Sequence, residues 1–333
     1  MTKDIPNLIY VSDDEPGYTR VKRGDSFIYV DEKKLELSDK HIIKRIEDLV
    51  IPPIWKDVWI CKKENGHLQS TGRDAKERKQ YIYHPDWTAY SQKSKFDKLK
   101  KFGDQLPHIR KQVEADLEQK EWTKEKVIAL IIHLLDEYYL RIGNKYYTDN
   151  NDSYGITTLR RKHIDESKKN LHLEYLAKSN KVRKVTIENK RLAKLVREIS
   201  ELPGYEIFRY KESSRNWVNI SSEDVNEYIE QHMGDEFSAK DFRTWGATKL
   251  TIEAYPEAIK MVKENKRLSF EPTLVRLVAK KLGNTLSTCR EYYIHPKVLE
   301  TAEAHELPAI KTKKNEPYFD HSEKVVMKIL AEQ

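Results

Sequence analysis

The chain has 333 residues, of which 38% are hydrophobic and 35% charged, and its net charge at pH 7 is +7. This length predicts two domains, and the excess of Lys and Arg is compatible with a polyanionic partner without requiring one. The two cysteines, Cys61 and Cys289, are far apart, which argues against a disulfide scaffold or a cysteine zinc site and favours a reducing cytoplasm. The longest apolar stretch is far too short to span a membrane, so no membrane partner is expected.

Residues 1–88 alternate short apolar segments with turn signals, a pattern that predicts a small β-rich domain. Strands are expected at Phe27–Val30, Val58–Cys61 and Gln80–Tyr83. One helix is expected over Ser38–Leu49, with Ser38 as its N-cap and a pair of prolines beyond its end.

From residue 89 onwards the apolar positions follow a helical period. Thr123 is the expected N-cap of a long helix that runs through Leu140 and is closed by Gly143. Three extended pieces predict a small antiparallel sheet, at 162–165, 171–176 and 182–187. Further helices are expected over 190–199, 222–231, 238–264 (with a break at Pro256 left open) and 271–282, and the last of them is expected to end at Gly283. The predicted fold class is therefore α+β, with a β-rich N-terminal domain over 1–88 and a larger, mostly helical catalytic domain over 89–333.

Several kinds of chemistry are missing from the sequence. It contains no GxxxxGK[ST] loop, so no nucleotide cofactor is expected. The segment 149–155 superficially resembles a calcium loop, but Tyr154 stands where glycine is required and Arg160 where a bidentate glutamate is needed. Acidic pairs suited to two-metal catalysis are not obvious either. The sequence therefore predicts that any phosphodiester chemistry in this protein uses neither a cofactor nor a metal ion.

Four residues stand in positions suited to phosphate chemistry. Tyr293 precedes a His-Pro pair, and Arg243 lies near the start of a predicted helix, where backbone N–H groups favour an anion. Arg141 lies at the end of an apolar helix, and Lys178 lies at a predicted hairpin turn. Each also fits an ordinary structural role: a buried aromatic ring, a surface ion pair with Asp241 or Glu236, an arginine that extends to solvent, and a solvated lysine.

Together with Asn284, these residues have the chain order of a known active site. Arginine, lysine, arginine, histidine or asparagine, and tyrosine is the order in type IB topoisomerases and tyrosine recombinases, and this sequence resembles it with Arg141, Lys178, Arg243, Asn284 and Tyr293. Motifs in the first domain are similar to those of the bacterial, poxvirus-like type IB enzymes: Tyr10–Gly17, Ile51–Trp55, Gly66–Gln69, Thr71–Asp74 and Arg78–Pro85. The resemblance extends from about Leu8 to Pro296.

This resemblance implies relaxation of supercoiled duplex DNA, without ATP or metal, through a 3′-phosphotyrosyl link at Tyr293. Arg141 and Arg243 would clamp the phosphate, and Lys178 would protonate the leaving oxygen with help from Arg141. Asn284 stands where many members have histidine, and its amide can still donate a hydrogen bond to phosphate. The family spacing selects Tyr293 over Tyr292, which residue chemistry alone does not separate.

The resemblance also implies where duplex DNA is bound. The segment from residue 80 to 83 is similar to the family's DNA-contacting strand, and the expected contacts are Gln80, Tyr81, Tyr83, Arg73, Arg78 and Lys79. We expect a monomer that closes as a C-shaped clamp on DNA and is found in the cytoplasm, associated with the nucleoid.

Two alternatives remain at this stage. A tyrosine recombinase or integrase would use the same nucleophile, but such proteins typically carry HxxR and a helical N-terminal domain, whereas Lys240 stands at that histidine here. A DNA-binding module that has lost catalysis would lack at least one of the five positions, and none is lost.

Overall fold

The computed structural model describes residues 7–165, 170–178, 181–213, 216–310 and 318–332, except for the side chains of Tyr147 and Asn150. Contacts divide the chain into two compact units, Met1–Asp97 and Lys98–Gln333. The first unit includes the whole of helix α2 (Pro85–Asp97). The domain boundary expected from the sequence, after residue 88, therefore falls inside this helix. None of the described helices combines the length and apolar composition that crossing a bilayer requires.

The first unit is built on an antiparallel sheet, so the β-rich prediction is confirmed. In the described part of the chain its order is β2-β1-β3-β4-β5, formed by β1 (Tyr18–Arg23), β2 (Ser26–Val30), β3 (Lys56–Ile60), β4 (Leu68–Arg73) and β5 (Lys79–Tyr83). Helix α1 (Lys40–Asp48) contributes Ile46 to a core that it shares with Val58 and Ile60.

The N-cap of α1 differs from the prediction. Asp39, not Ser38, caps the helix, because its carboxylate accepts hydrogen bonds from the backbone N–H groups of His41 (2.8 Å) and Ile42 (3.4 Å). A carboxylate is an equally good cap and adds a favourable charge at the positive end of the helix dipole.

The second unit is mostly helical, as predicted. Its helices are α3 (Leu99–Leu117), α4 (Lys124–Tyr138), α5 (Lys145–Asn151), α6 (Lys190–Ser200), α7 (Ser222–Met233), α8 (Ala239–Glu264), α9 (Phe270–Leu282), α10 (Leu286–Tyr292), α11 (Pro296–Glu303) and α12 (His321–Ala331). The expected small antiparallel sheet is present as β6 (Ile164–Asp165), β7 (Leu171–Ala177) and β8 (Lys181–Ile187). A hairpin of β9 (Arg209–Ser213) and β10 (Asn216–Asn219) was not predicted.

Helix α8 crosses the middle of this unit. Phe242 and Trp245 pack in the larger core, where the Phe242 ring lies 5.1 Å from that of Phe102 on α3. Further along, Leu250 and Ala258 pack in a second core with residues of α9. The helix continues through Pro256, where the sequence left a break open.

A buried ionic network attaches α12 to the middle of the unit. Glu323 is only 1% exposed, and its carboxylate accepts hydrogen bonds from Arg110 on α3 (2.7 and 2.9 Å) and from the indole of Trp245 on α8 (3.0 Å). Arg110 also binds Asp136 on α4 at 2.7 Å. The network therefore links four helices, α3, α4, α8 and α12.

Candidate active site

Helix α4 ends earlier than predicted, which changes where Arg141 lies. Thr123 caps the start of the helix as expected, but Tyr139 at its end adopts the left-handed conformation (φ 55°, ψ 36°), so the prediction that Gly143 closes the helix was wrong. Arg141 consequently lies in the extended segment beyond the helix. Arg243 stabilises this turn by donating a hydrogen bond to the Tyr139 carbonyl. The Tyr139 ring also packs directly against Gly246, where no side chain would fit, since a Cβ there would lie only 2.2 Å from the ring.

The backbone around Arg141 is fixed by a neighbouring segment. The Arg141 carbonyl accepts from the N–H of Ile156 at 2.8 Å. Gly143 and Gly155 approach so closely that a Cβ at Gly155 would lie 2.3 Å from the Gly143 nitrogen, so both positions tolerate glycine only. These contacts orient the Arg141 side chain before any substrate binds.

Arg243 and Arg141 converge on one amide oxygen. Arg243 is 3% exposed, and its Nη2 donates to the carbonyl of Leu282 (3.1 Å) and to Oδ1 of Asn284 (3.0 Å). Arg141 Nη2 donates to the same Oδ1 at 2.5 Å. The surface ion pair that offered an ordinary role for Arg243 is not formed with either partner, because Asp241 binds Lys98 and Glu236 binds Lys101.

Asn284 is placed by the end of α9. Gly283 closes that helix in the left-handed region (φ 69°), as predicted, and the N–H of Asn284 then donates to the Ala279 carbonyl at 3.0 Å. The Nδ2 atom of Asn284 is buried and has no hydrogen-bond partner among the described residues. Such an unpaired donor is costly unless a ligand supplies the acceptor.

Tyr293 lies at the end of α10, beside Arg243. Its carbonyl accepts from the hydroxyl of Thr248 on α8 (3.4 Å), and the same hydroxyl accepts from the N–H of His295 (3.1 Å). The guanidinium carbon of Arg243 lies 5.3 Å from the centre of the Tyr293 ring. One helix therefore anchors the tyrosine backbone and carries the arginine that faces its ring.

The electrostatic environment distinguishes the two adjacent tyrosines. Burial raises the pKa of Tyr293, but the charge and hydrogen bond of Arg243, with Arg141 and Lys240 beyond, outweigh it and lower the pKa below its usual value. Tyr292 is 39% exposed, and its pKa is raised, chiefly by its hydrogen bond to Glu291. The two adjacent phenols therefore have pKa values shifted in opposite directions.

Arg243 remains a cation in this setting. Burial, with the nearby charge of Arg141, lowers its pKa to about 10, which still leaves it protonated at neutral pH. Among the described residues no carboxylate forms an ion pair with Arg141 or Arg243. Two uncompensated guanidinium groups and an unpaired amide donor form a site suited to an anion with several oxygens.

Lys178 is the one predicted catalytic residue that the structure does not join to the others. It follows β7, is exposed, and forms no described hydrogen bond or ion pair with Arg141, Arg243, Asn284 or Tyr293. The next two residues of the predicted hairpin turn, 179 and 180, lie outside the described residues. The adjacent Ala177 lines the same cleft as Arg141 and Asn284, so the end of this strand does reach the site.

Arg183 was not predicted as a site residue, but it contacts the ends of two helices beside the site. Its Nη2 donates to the carbonyls of Lys281 (2.8 Å) and Tyr138 (3.4 Å), so it links β8 to the ends of both α9 and α4. A Cβ at Gly283 would lie 2.9 Å from its Nη1. The only sequence signal for it is the basic run Lys181–Lys184, because strand position does not reveal which helix end a side chain reaches.

A cleft of 380 Å³ opens between β8 and the end of α9. Basic side chains dominate its lining, which comprises Arg141, Ala177, Lys181, Val182, Arg183, Lys184, Ala279, Lys280, Gly283 and Asn284. No acidic residue is among these lining residues, and two of them, Arg141 and Asn284, are predicted catalytic residues.

In the first unit, the predicted DNA-contacting strand is β5 at the edge of the sheet. Side chains alternate across a strand, so Tyr81 and Tyr83 share the exposed face, with their rings stacked at 5.9 Å. Gln80 points to the other face, where its amide donates to Asp74 at 3.0 Å. Lys79 lies near Tyr81, with its amine 5.6 Å from the ring centre.

The basic residues predicted to contact DNA in this unit already have acidic partners. Arg78 binds Asp74 and Lys79 binds Asp13, each at 2.6 Å. Arg73 donates to the Glu77 carbonyl at 3.0 Å and lies 3.8 Å from the carboxylate of Asp57. In this structure these cations are neutralised by the protein itself.

Comparison with known proteins places the chain in a family. The family described as the catalytic core of eukaryotic DNA topoisomerase I matches residues 78–317, and the one described as the N-terminal domain of bacterial DNA topoisomerase IB matches residues 26–74. The chain belongs to the type IB DNA topoisomerases, which are isomerases of DNA.

Individual relatives agree with this placement. DNA topoisomerase 1B of Acanthamoeba polyphaga mimivirus is 31% identical over 313 residues, which cover 90% of this chain and 92% of that protein. DNA topoisomerase 1 of Mycosarcoma maydis is 28% identical, over 47% of this chain and 17% of its own length. DNA topoisomerase 1 of Schizosaccharomyces pombe is 27% identical, over 48% and 19%.

Proposed function

We propose that this protein relaxes supercoiled duplex DNA without ATP or a metal ion, by cleaving and rejoining one strand through a 3′-phosphotyrosyl intermediate at Tyr293. The observation that carries the proposal is the convergence of Arg141, Arg243 and Asn284 beside that phenol. Three donors around one nucleophile match the needs of a phosphodiester that gains negative charge in the transition state.

In the proposed reaction the Tyr293 oxygen attacks the scissile phosphorus, and the bond to the 5′ oxygen breaks. The guanidinium groups of Arg141 and Arg243 hold the non-bridging oxygens, and the unpaired Nδ2 of Asn284 donates a further hydrogen bond. The phosphotyrosyl ester conserves the energy of the broken bond, so attack by the 5′ hydroxyl reseals the strand without ATP. Supercoils dissipate while the strand is open.

Proton transfer is shared between two groups. The lowered pKa of Tyr293 eases loss of the phenolic proton as the new bond forms. Lys178 donates a proton to the departing 5′ oxygen, assisted by Arg141, as the family order suggests. Because Lys178 is exposed at the end of β7, this role requires bound DNA to bring the scissile phosphate to it.

Duplex DNA is the proposed partner, bound by a monomer in the cytoplasm, at the nucleoid. On the first unit, the exposed Tyr81 and Tyr83 are the best-placed contacts, with Lys79 beside them. Arg73, Arg78 and Gln80 would have to exchange their present partners for DNA.

Plasmid relaxation in EDTA, with both negatively and positively supercoiled substrates, tests the activity. Denaturing gels of the protein with labelled duplex test the intermediate: we expect a covalent adduct with the native protein and with Tyr292→Phe, and none with Tyr293→Phe. An adduct that depends on Tyr292 would overturn the assignment. Strand exchange between two defined sites, without relaxation, would indicate a recombinase instead.

A further inference from the structure

The cleft between β8 and α9 contains more positive charge than the scissile phosphate accounts for. Arg141 belongs to the catalytic group, but Lys181, Arg183 and Lys280 line the cleft beside it. None of these four cations has a carboxylate partner among the described residues. Lys184, the remaining cation, differs because it is paired with Glu174 at 2.9 Å.

Arg183 has the environment expected of an anion-binding residue. Burial lowers its pKa, and the charge of Arg141 lowers it further, so the folded protein pays for keeping this cation without a counterion. Among the described residues only Nη2 of its two terminal nitrogens is engaged, and both acceptors are neutral backbone carbonyls. The remaining N–H groups are therefore available on the wall of the cleft.

We propose that this cleft is a second phosphate subsite, which holds the phosphodiester next to the scissile one on the cleaved strand through Arg183, Lys181 and Lys280. The assignment rests on the proposed function, because it takes Arg141 and Asn284 as the position of the scissile phosphate. The cleft shares those two residues, so an anion within it lies beside that phosphate. In a continuous strand, the adjacent phosphodiester is the group that occupies this place.

The subsite adds a second contact between the enzyme and the DNA backbone during cleavage. A phosphate bound by Arg183 is connected through the same guanidinium to the helix ends that carry Asn284 and precede Arg141. Binding of the neighbouring phosphodiester then sets the scissile one in register with Tyr293. Phosphate contacts of this kind fix position without reading sequence.

Charge-neutralised DNA tests the subsite directly. Duplexes with one mapped cleavage position would carry a single neutral methylphosphonate, moved one phosphate at a time along each strand. Dissociation constants are measured in a Tyr293→Phe background, so that no covalent step contributes, with Arg183→Gln, Lys280→Gln and a control, Lys194→Gln. Lys280 and Lys194 are both exposed helical lysines, but Lys194 lies on α6, pairs with Glu198 and does not line the cleft.

We expect Arg183→Gln and Lys280→Gln each to weaken binding of ordinary DNA and to lower the slope of log affinity against log salt by about 0.9. The loss of affinity should vanish on the duplex whose methylphosphonate neighbours the scissile position on the cleaved strand, and Lys194→Gln should show no such coupling. The same loss on every duplex, or coupling only with the uncleaved strand, would overturn the subsite.

Two further measurements keep the result interpretable. Thermal unfolding reports whether Arg183→Gln folds; if it does not, Lys280→Gln decides the question, since its side chain is exposed. The two proposals fail in different ways: absence of a covalent adduct with the native protein overturns the proposed function, whereas a mapped adduct without coupling at the neighbouring phosphate overturns the subsite alone.

Discussion

The arginines at the candidate active site and the basic residues on and beside strand β5 differ in the kind of group that they bind. Arg141, Arg183 and Arg243 donate to backbone carbonyls and an amide oxygen, and none forms an ion pair within the described residues. On β5 and the turn before it, Arg78 and Lys79 are each bound to a carboxylate at 2.6 Å. The residue types are the same, but only the first group keeps its charge uncompensated.

This difference separates a preorganised site from an adaptable surface. Neutral acceptors orient a guanidinium without cancelling its charge, so the electrostatic attraction is retained for a phosphate. A carboxylate partner cancels most of that attraction, and DNA must displace or share it. We therefore expect substitution of Arg243, which faces Tyr293, to alter the reaction rate, and substitutions near β5 to alter affinity modestly.

The largest effect is expected from Lys178, which lies outside the preorganised group. Lys178→Ala should slow cleavage by ~10²–10⁴-fold, because the leaving oxygen loses its acid. Replacing that oxygen by sulfur, which leaves without a proton, should restore most of the rate in single-turnover cleavage. Lys181→Ala provides the control, since it should show no sulfur-dependent recovery. Absence of recovery in Lys178→Ala would remove the acid role.

A direct comparison of Arg243 with Arg78 tests the contrast itself. Arg243→Gln should lower the single-turnover cleavage rate by ~10²–10³-fold with little change in DNA affinity, because a fixed transition-state donor is lost. Arg78→Gln should leave the rate of bound complexes unchanged and alter only affinity. Equal losses of rate in the two variants would show that the distinction between compensated and uncompensated cations has no functional meaning.

The pH dependence of cleavage should shift in a defined direction. Arg243 helps to lower the pKa of Tyr293, so the native cleavage rate should rise with pH at lower values than an ordinary phenol would allow. In Arg243→Gln that rise should move to higher pH, because the cation that stabilises the phenolate is gone. A pH–rate profile of single-turnover cleavage measures this, and an unshifted profile would contradict it.

The smallest effect concerns the compensated cations. Hydrogen bonds from Arg78 lower the pKa of Asp74 from 3.8 to about 2, so this carboxylate stabilises the fold above its unfolded pKa and loses that contribution as pH falls towards 2. Asp74→Asn should lower the unfolding temperature at pH 7, and the difference from native protein should narrow between pH 4 and pH 2. Asp48→Asn, on the exposed face of α1, should differ little at any pH.

Local signals in the sequence predicted those parts of the site that are set by local physics. Thr123 and Gly283 bound their helices as expected, since capping depends on a few neighbouring residues. The end of α4 at Tyr139 was not predictable, because a non-glycine left-handed residue is held there by Arg243 and Gly246, about a hundred positions away.

The hydrogen-bond network of the candidate active site could not be predicted from the sequence either. Chain order grouped five residues, and the structure brings Arg141, Arg243, Asn284 and Tyr293 together. Chain order alone could not show that the Asn284 amide oxygen accepts hydrogen bonds from both arginines. Nor could spacing place Arg183 against the ends of two helices, since that depends on tertiary packing.

The ionic network of α12 limits how far the second unit can be truncated at its C-terminal end. The family match ends at residue 317, whereas α12 begins at His321. A fragment cut at that match would lack Glu323, so the buried indole N–H of Trp245 would lose its acceptor and Arg110 would keep Asp136 as its carboxylate partner, which should destabilise the fragment. A catalytic fragment prepared for crystallisation or inhibitor screening should therefore extend through Ala331.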